Sequence, residues 1–307
     1  MEVSVLALGT WAMGGGFDGW GPVDDGECIA AINHALDSGV NLIDTAPIYG
    51  HGHSEEIVGN AVQGRRHEVV LATKCGLLLP ARGVDVPPRC LEPESLLREC
   101  DASLRRLRTD VIDVYQCHWP DPNVPIRDTM AAMAKLLELG KIRIVGVSNF
   151  SFEQVSAARE FVDIQVLQAP FSMLLRRAAD DLIPACAEYG MGVLSYSPLS
   201  KGLLTGKFSA ESKFSGVRAR DPDFVGKRFR RNLSVVDSLR RVSDRYGKTL
   251  AQLALNWTAN YPGVTAPIFG AKRPSQVTEN VGAAGWSISA EDRAEIDIIL
   301  GESERHG

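Results

Sequence analysis

Several absences bound what this chain can be. No apolar run approaches the roughly 20 residues that span a bilayer, so no membrane-spanning helix is expected. The six cysteines (Cys28, Cys75, Cys90, Cys100, Cys117 and Cys186) form no CxxC pair and no Cys/His metal spacing, which argues against a zinc site or a disulfide framework. Positive charge is not in surplus: 33 Lys and Arg face 38 Asp and Glu, a formal net charge of −5. That balance speaks against a nucleic-acid partner and against a polybasic membrane contact. A GxGxxG turn is missing too, because Gly14-Gly15-Gly16 comes five residues after Gly9, with Thr10-Trp11 among those between; the glycine triplet reads as a flexible loop. Repeats and low-complexity tracts are lacking. The N-terminus shows no charged segment leading into an apolar one, and with the dispersed cysteines this points to the cytoplasm.

What is present is an alternation. Short apolar or β-branched runs at residues 5–8, 41–43, 69–73, 111–116, 142–147, 164–168, 192–195 and 264–268 are separated by amphipathic stretches. Ile29, Ile32, Ala35 and Leu36 make one helical face, Leu96, Leu97, Leu104 and Leu107 a second, and Met130, Met133, Leu136, Leu137 and Leu139 a third; the i, i+3, i+4 recurrence marks these as core packing. Asp24 and Ser54 suit N-caps, Pro93 and Pro274 suit first helical turns, and Gly39, Gly140 and Gly190 close helices before strands. Eight strands, each followed by helix, are the arithmetic of a (β/α)8 TIM barrel, here one domain over residues 1–307. A closing helix is expected over residues 291–300, and the longest irregular segment over 198–226. The basic residues at 213–231 read as a solvated loop and helix start, with a dinucleotide phosphate the one anion considered for them.

In a parallel barrel, chemistry gathers where strands end. The second strand delivers Asp44, and its loop carries Tyr49; the third delivers Lys74 and the fourth His118. Alone, each has an ordinary reading: a cap, a packed tyrosine, a paired lysine, a satisfied histidine. Together they come from three neighbouring strands, and a buried lysine requires a carboxylate such as Asp44. A cation beside a phenol favours the phenolate, so Lys74 makes Tyr49 a usable general acid near neutrality. A neutral His118 could donate a hydrogen bond to a carbonyl oxygen. No metal is implied.

These segments resemble an aldo-keto reductase: Gly9-Thr10-Trp11, the run from Asn41 through Asp44 and Tyr49 to Gly50, Ala72-Thr73-Lys74, and Tyr115-Gln116-Cys117-His118-Trp119-Pro120. The likeness continues with Lys141 to Phe150, Gln168, Tyr196-Ser197-Pro198-Leu199 and Gly270-Ala271-Lys272-Arg273, covering about residues 5–285. It is closest in feel to the bacterial branch that contains the inositol-locus and general-stress reductases. The resemblance implies NAD(P)H-dependent reduction of an aldehyde or ketone, sugar-like compounds included. It makes Tyr49 the acid, Lys74 and Asp44 its tuners and His118 the group that orients the carbonyl. Ser148, Asn149 and Gln168 would hold the nicotinamide amide, with Tyr196 on its ring and Thr10, Trp11 and Asp44 near it. Ser197, Pro198, Leu199, Lys201, Gly202 and Leu203 would border the pyrophosphate and ribose. Gly270, Ala271, Lys272, Arg273, Gln276, Glu279 and Asn280 would surround the adenosine end. Lys272 and Arg273 favour NADPH, with NADH possible.

Two departures stand out. The chain begins almost at its first strand, so the hairpin that usually floors this barrel is expected to be short or missing. Cys75 follows Lys74 and reads as a buried spectator rather than a reactive thiol. Trp11, Trp20 and Trp119, with Tyr49 and His118, are the candidates for a small-molecule carbonyl pocket, while physiological substrate and oligomeric state stay open. Two rival functions remain at this level: a cofactor-binding sensor or accessory barrel without turnover, and a Schiff-base aldolase using Lys74.

Overall fold

The computed structural model describes residues 1–15, 20–79 and 87–305. Eight parallel strands close on themselves in sequence order: β1 (Ala7–Gly9), β2 (Leu42–Asp44), β3 (Val70–Cys75), β4 (Ile112–Cys117), β5 (Ile142–Ser148), β6 (Ile164–Pro170), β7 (Gly192–Tyr196) and β8 (Ala266–Gly270). Helices α1 (Asp25–Asp37), α2 (His53–Ala61), α3 (Pro93–Leu107), α4 (Ile126–Glu138), α5 (Phe152–Arg159) and α6 (Leu182–Glu188) connect the first seven strands. The connection from β7 to β8 holds α7 (Gly216–Ala219), α8 (Gly226–Arg245) and α9 (Leu250–Ala259), and α10 (Pro274–Val281) and α11 (Ala290–Arg305) follow β8. The TIM barrel expected from the alternation is therefore the fold.

Most of the strands run one or two residues further than the apolar runs suggest. Asp44 and Lys74 lie inside β2 and β3, paired with Ala72 and Gln116, not after them. Hydropathy stops at the first polar residue, whereas the ladder continues as long as backbone partners remain. The two-residue period then sorts side chains into two sets. Leu8, Ile43, Leu71, Cys75, Tyr115, Val145, Leu167 and Phe269 face outward into the main core under the helices. Ala7, Leu42, Val70, Ala72, Val114, Leu194, Ala266 and Ile268 fill the barrel's lower interior. Above them, at the C-terminal end, the inward positions turn polar.

Among the described residues no strand precedes β1. Val3 instead packs against the interior cluster, held by Ser4, whose N–H donates to Asn41 Oδ1 at 2.7 Å and whose Oγ accepts from Asn41 N at 3.0 Å. Helix ends largely follow the expected chemistry. Asp24 caps α1 by accepting from Glu27 N, and Pro93 and Pro274 open α3 and α10. Ser54 is a correction: the N-cap of α2 is Gly52, and the buried Ser54 hydroxyl donates to the Thr10 backbone oxygen (2.9 Å) and lies 2.8 Å from Thr10 Oγ1. A serine that finds inter-element partners has no need of the helix's own amides. The segment after β7 is not loose either, since Phe208, Phe214, Phe224, Phe229 and Leu203 form a small core of their own.

Candidate active site

Glycine decides how closely two of the site's loops approach. The 3-10 turn Trp11–Gly14 after β1 crosses the Tyr49 loop at Gly14 and Gly50. A Cβ on Gly50 (φ +61°) would fall 2.1 Å from Gly14 O, and one on Gly14 would fall 2.5 Å from Gly50 N. Gly14 is thus a packed crossing and not a flexible loop; Gly16 lies outside the described residues. The crossing brings the Trp11 ring to 6.2 Å from that of Tyr49 and 5.2 Å from that of Trp20.

Beneath it sits a buried chain of charge. Lys74 is 0 % exposed, and its Nζ donates to Asp44 Oδ1 (2.7 Å), Thr45 O (2.9 Å) and Tyr49 Oη (3.2 Å). Burial opposes the ammonium, but Asp44 and then Tyr49 outweigh it and hold the pKa above the ordinary lysine value. The other Asp44 oxygen accepts from Gln168 Nε2 (2.8 Å) and, at a longer 3.4 Å, from Gln116 Nε2. His118 enters from the end of β4, its ring edge-on to Tyr49 with centroids 6.1 Å apart. Desolvation, followed by the charge of Lys74, holds its pKa well below the usual imidazole range, so it is neutral at physiological pH. The four residues expected from three strand ends do converge.

The amide-bearing rim is also assembled. Asn149 (φ +62°) donates to His118 O (2.9 Å) and Ser148 Oγ (3.1 Å) and accepts from Tyr196 Oη (2.8 Å). Burial, reinforced by the nearby Tyr49, raises the Tyr196 pKa, keeping it a phenol. Beyond it, Ser197, Ser200, Lys201 and Gly202 all take positive φ. Lys201 pairs with Asp221. Arg218 donates to Lys201 O at 2.8 Å and lies 4.7 Å over the Trp20 ring. Lys207 and Arg218 are both depressed in pKa, each chiefly by burial, with Arg218 adding to the effect on Lys207.

At the β8 end, Gly270 is exposed and open where a Cβ would point, whereas Ala271 and Leu203 are core residues. Lys272 donates through Nζ to Trp20 O (2.9 Å) and through its backbone to Gln276 (2.8 Å). Arg273 pairs with Glu27 at 3.0 Å. Asn280 reaches Gly270 O at 3.5 Å, and the exposed Glu279 offers its backbone oxygen to Gln252. Trp119 carries Arg89 5.0 Å above its ring. Cys75 is buried, donates to Gln116 O and has a pKa raised by burial, which describes a spectator thiol.

Two groups escaped sequence reading. Gln116, inward and fully buried beside Asp44, carries one signal: a polar residue in an apolar strand at the inward register. Glu55, also fully buried, accepts from Thr73 Oγ1 (2.7 Å) and pairs with Arg106 (2.6 Å), tying α2 to β3 and α3. Nothing in the local sequence distinguishes it from the neighbouring surface Glu56.

A parallel barrel whose C-terminal mouth holds a phenol on a buried lysine–aspartate pair, beside a neutral imidazole, defines a class of oxidoreductase barrels. The chain belongs to the Aldo/keto reductase family, whose match covers residues 5–300. It is 41% identical over 305 residues to the Aldo-keto reductase YhdN of Bacillus subtilis (98% of this chain, 91% of that protein). It is 36% identical over 303 residues to the NADH-specific methylglyoxal reductase of Escherichia coli (95% and 93%). Among solved structures, the glycerol dehydrogenase AKR11B4 of Gluconobacter oxydans superposes with TM-score 0.91 at 38% identity (99% and 93% covered). A Klebsiella pneumoniae aldo/keto reductase in complex with NADP and acetate gives 0.74 at 30% (97% and 92%).

Proposed function

We propose that the chain, acting as one catalytic domain over residues 1–307, reversibly reduces an aldehyde or ketone to the alcohol with a nicotinamide cofactor, and that Tyr49 donates the proton. The observation that carries this reading is the buried contact of Lys74 Nζ with both Asp44 and Tyr49 Oη. An ammonium 3.2 Å from a phenol stabilises the phenolate left when the proton goes to a substrate oxygen. His118, neutral, donates a ring N–H to that oxygen and fixes its position without competing as an acid. Trp11, Trp20 and Trp119 provide aromatic walls for the substrate. Six unpaired thiols, five of them buried, support a cytoplasmic setting.

The bound nicotinamide would supply the hydride. The residues fit such a group. Ser148, Asn149 and Gln168 offer hydroxyl and amide donors and acceptors beside the Tyr196 ring, the chemistry a carboxamide needs. Thr10 sets β1 against β2 through its hydroxyl bond to Asp44 O at 3.0 Å. Residues 197–203 run beside the exposed Lys207 and the half-buried Arg218, two cations depressed in pKa, a setting that favours a pyrophosphate. Residues 270–273 with Gln276, Glu279 and Asn280 would take the adenosine end. We favour NADPH because Lys272 and Arg273 stand at the start of α10, where a 2′-phosphate could exchange with Trp20 O and Glu27 as their partner. The NADP complex of one relative and the NADH specificity of another keep both cofactors in the comparison. A higher kcat/KM with NADH would overturn the preference alone.

Tyr49→Phe tests the mechanism. Turnover of a reactive aldehyde should fall by about 100-fold or more while the Kd for NADPH, read by fluorescence quenching, changes little. Wild-type kcat in that variant would refute the assignment. Single-turnover oxidation of bound NADPH separates an enzyme from a cofactor sensor.

A further inference from the structure

We infer that Gln116 is a positioning residue that sets the acidity of Tyr49 from beneath, by holding the Asp44 carboxylate; this rests on reading Tyr49 as the proton donor. Gln116 lies in β4 opposite Lys74 and Gly146, is fully buried, and points its amide into the barrel interior. Among the described residues its Oε1 has no hydrogen-bond partner. A buried amide with an orphaned acceptor is a liability that leucine, of similar size, would avoid. The compensating contact is its Nε2 on Asp44 Oδ2 at 3.4 Å, beside the 2.8 Å bond from Gln168. The seat is built for it: a Cβ on Gly146 would lie 2.8 Å from Gln116 Cγ, so only glycine leaves the room.

The consequence follows the charge. Donors to Oδ2 draw negative charge away from Oδ1, the oxygen that faces Lys74. The ammonium is then less fully neutralised, and more of its field reaches Tyr49 Oη. Without Gln116 the outer oxygen keeps Gln168 as its one side-chain donor among the described residues, the carboxylate leans harder on Lys74, and the phenol becomes a weaker acid. Ionisable groups facing Tyr49 are Lys74 from β3 with Asp44 behind it from β2, His118 from β4 and Tyr196 from β7. Of these, His118 is neutral and Tyr196 stays a phenol across the relevant range, so the dyad dominates the response.

The test uses the full chain with Gln116→Leu and, as a route that keeps the glutamine but pushes it aside, Gly146→Ala. Tyr49 ionisation is read as the tyrosinate absorbance near 295 nm, taken as the difference from the same protein carrying Tyr49→Phe. The expected result is a midpoint raised by about half to one pH unit in both variants, a basic limb of kcat that moves with it, and a Kd for NADPH within twofold of wild type. Folded variants with an unmoved midpoint overturn the inference and leave Gln116 a packing residue, even if Tm falls. If Gln116→Leu does not fold, Gly146→Ala decides alone. Turnover retained by Tyr49→Phe would instead overturn the proposed mechanism, while the absorbance titration still answers for Gln116.

Discussion

Replacing Asp44 by asparagine keeps the shape of the site and removes one charge. Asp44 accepts from Lys74, Gln168 and Gln116 and is buried. An asparagine must point its NH2 at one of those donors, and Lys74, with none of its surface exposed, loses its counter-charge. Breaking a buried pair from one side costs about 3–5 kcal/mol. An unfolding entropy of about 2.1 cal/mol/K per residue gives ~0.64 kcal/mol/K for a chain of this length, so Tm should drop by about 5–8 °C. The pH dependence is the sharper part. In the wild type the Lys74 pKa is raised, so its contribution to stability is complete below the unfolded value of about 10.4 and is lost only as pH rises through the higher folded value. In Asp44→Asn the burial that opposes the ammonium, the largest of the influences on Lys74, is answered by Tyr49 without the carboxylate, and the folded pKa drops below the unfolded one. Between the two values the unfolded chain binds more protons, so stability climbs with pH. Differential scanning calorimetry of both proteins from about pH 7 to about pH 10 should show the Tm gap narrowing as pH rises. A gap under about 2 °C, or one that widens with pH, would refute the reasoning.

Two other sites can be probed in the same way. Gly50→Ala places a methyl 2.1 Å from Gly14 O at a φ of +61°. The backbone penalty alone is about 1–2 kcal/mol, and the Trp11 turn must move off Tyr49, so thermal melts should show destabilisation and steady-state assays a lower kcat. Glu55→Ala strands Thr73 inside and leaves Arg106, one quarter exposed, to reach for water; about 3 kcal/mol of stability should be lost, and Glu55→Gln should recover part of it in urea melts.

How much of this was legible in the sequence depends on which force decides each position. The strands were readable because a barrel strand is apolar on both faces, and the helices because their stripes and caps are local. Their ends were not, since Asp44 and Lys74 look like loop residues until the ladder is seen to carry them into the polar upper layer. The quartet was readable because three of its members sit at strand ends and Tyr49 in the loop that follows one, where topology alone brings them together. Ser54 misled, for its partner Thr10 lies 44 residues away. Lys272 and Arg273 were legible as cations, but their ties to Trp20 and Glu27 depend on the segment after β1, remote in sequence and next to β8 only once the barrel closes. Gln116 and Glu55 were hidden for the same reason: each is defined by a partner on another element.

The apolar plug beneath the site has a consequence for proton traffic. Ala7, Leu42, Val70, Ala72, Val114 and Leu194, with Val3 packed against them, fill the barrel's lower interior with apolar side chains. These apolar side chains relay no proton, so in the proposed mechanism the plug gives Tyr49 no supply from below. The replacement proton arrives through the same mouth by which product departs, so a proton-inventory experiment in mixed H2O and D2O would report on the opening of that mouth as much as on the chemistry below it.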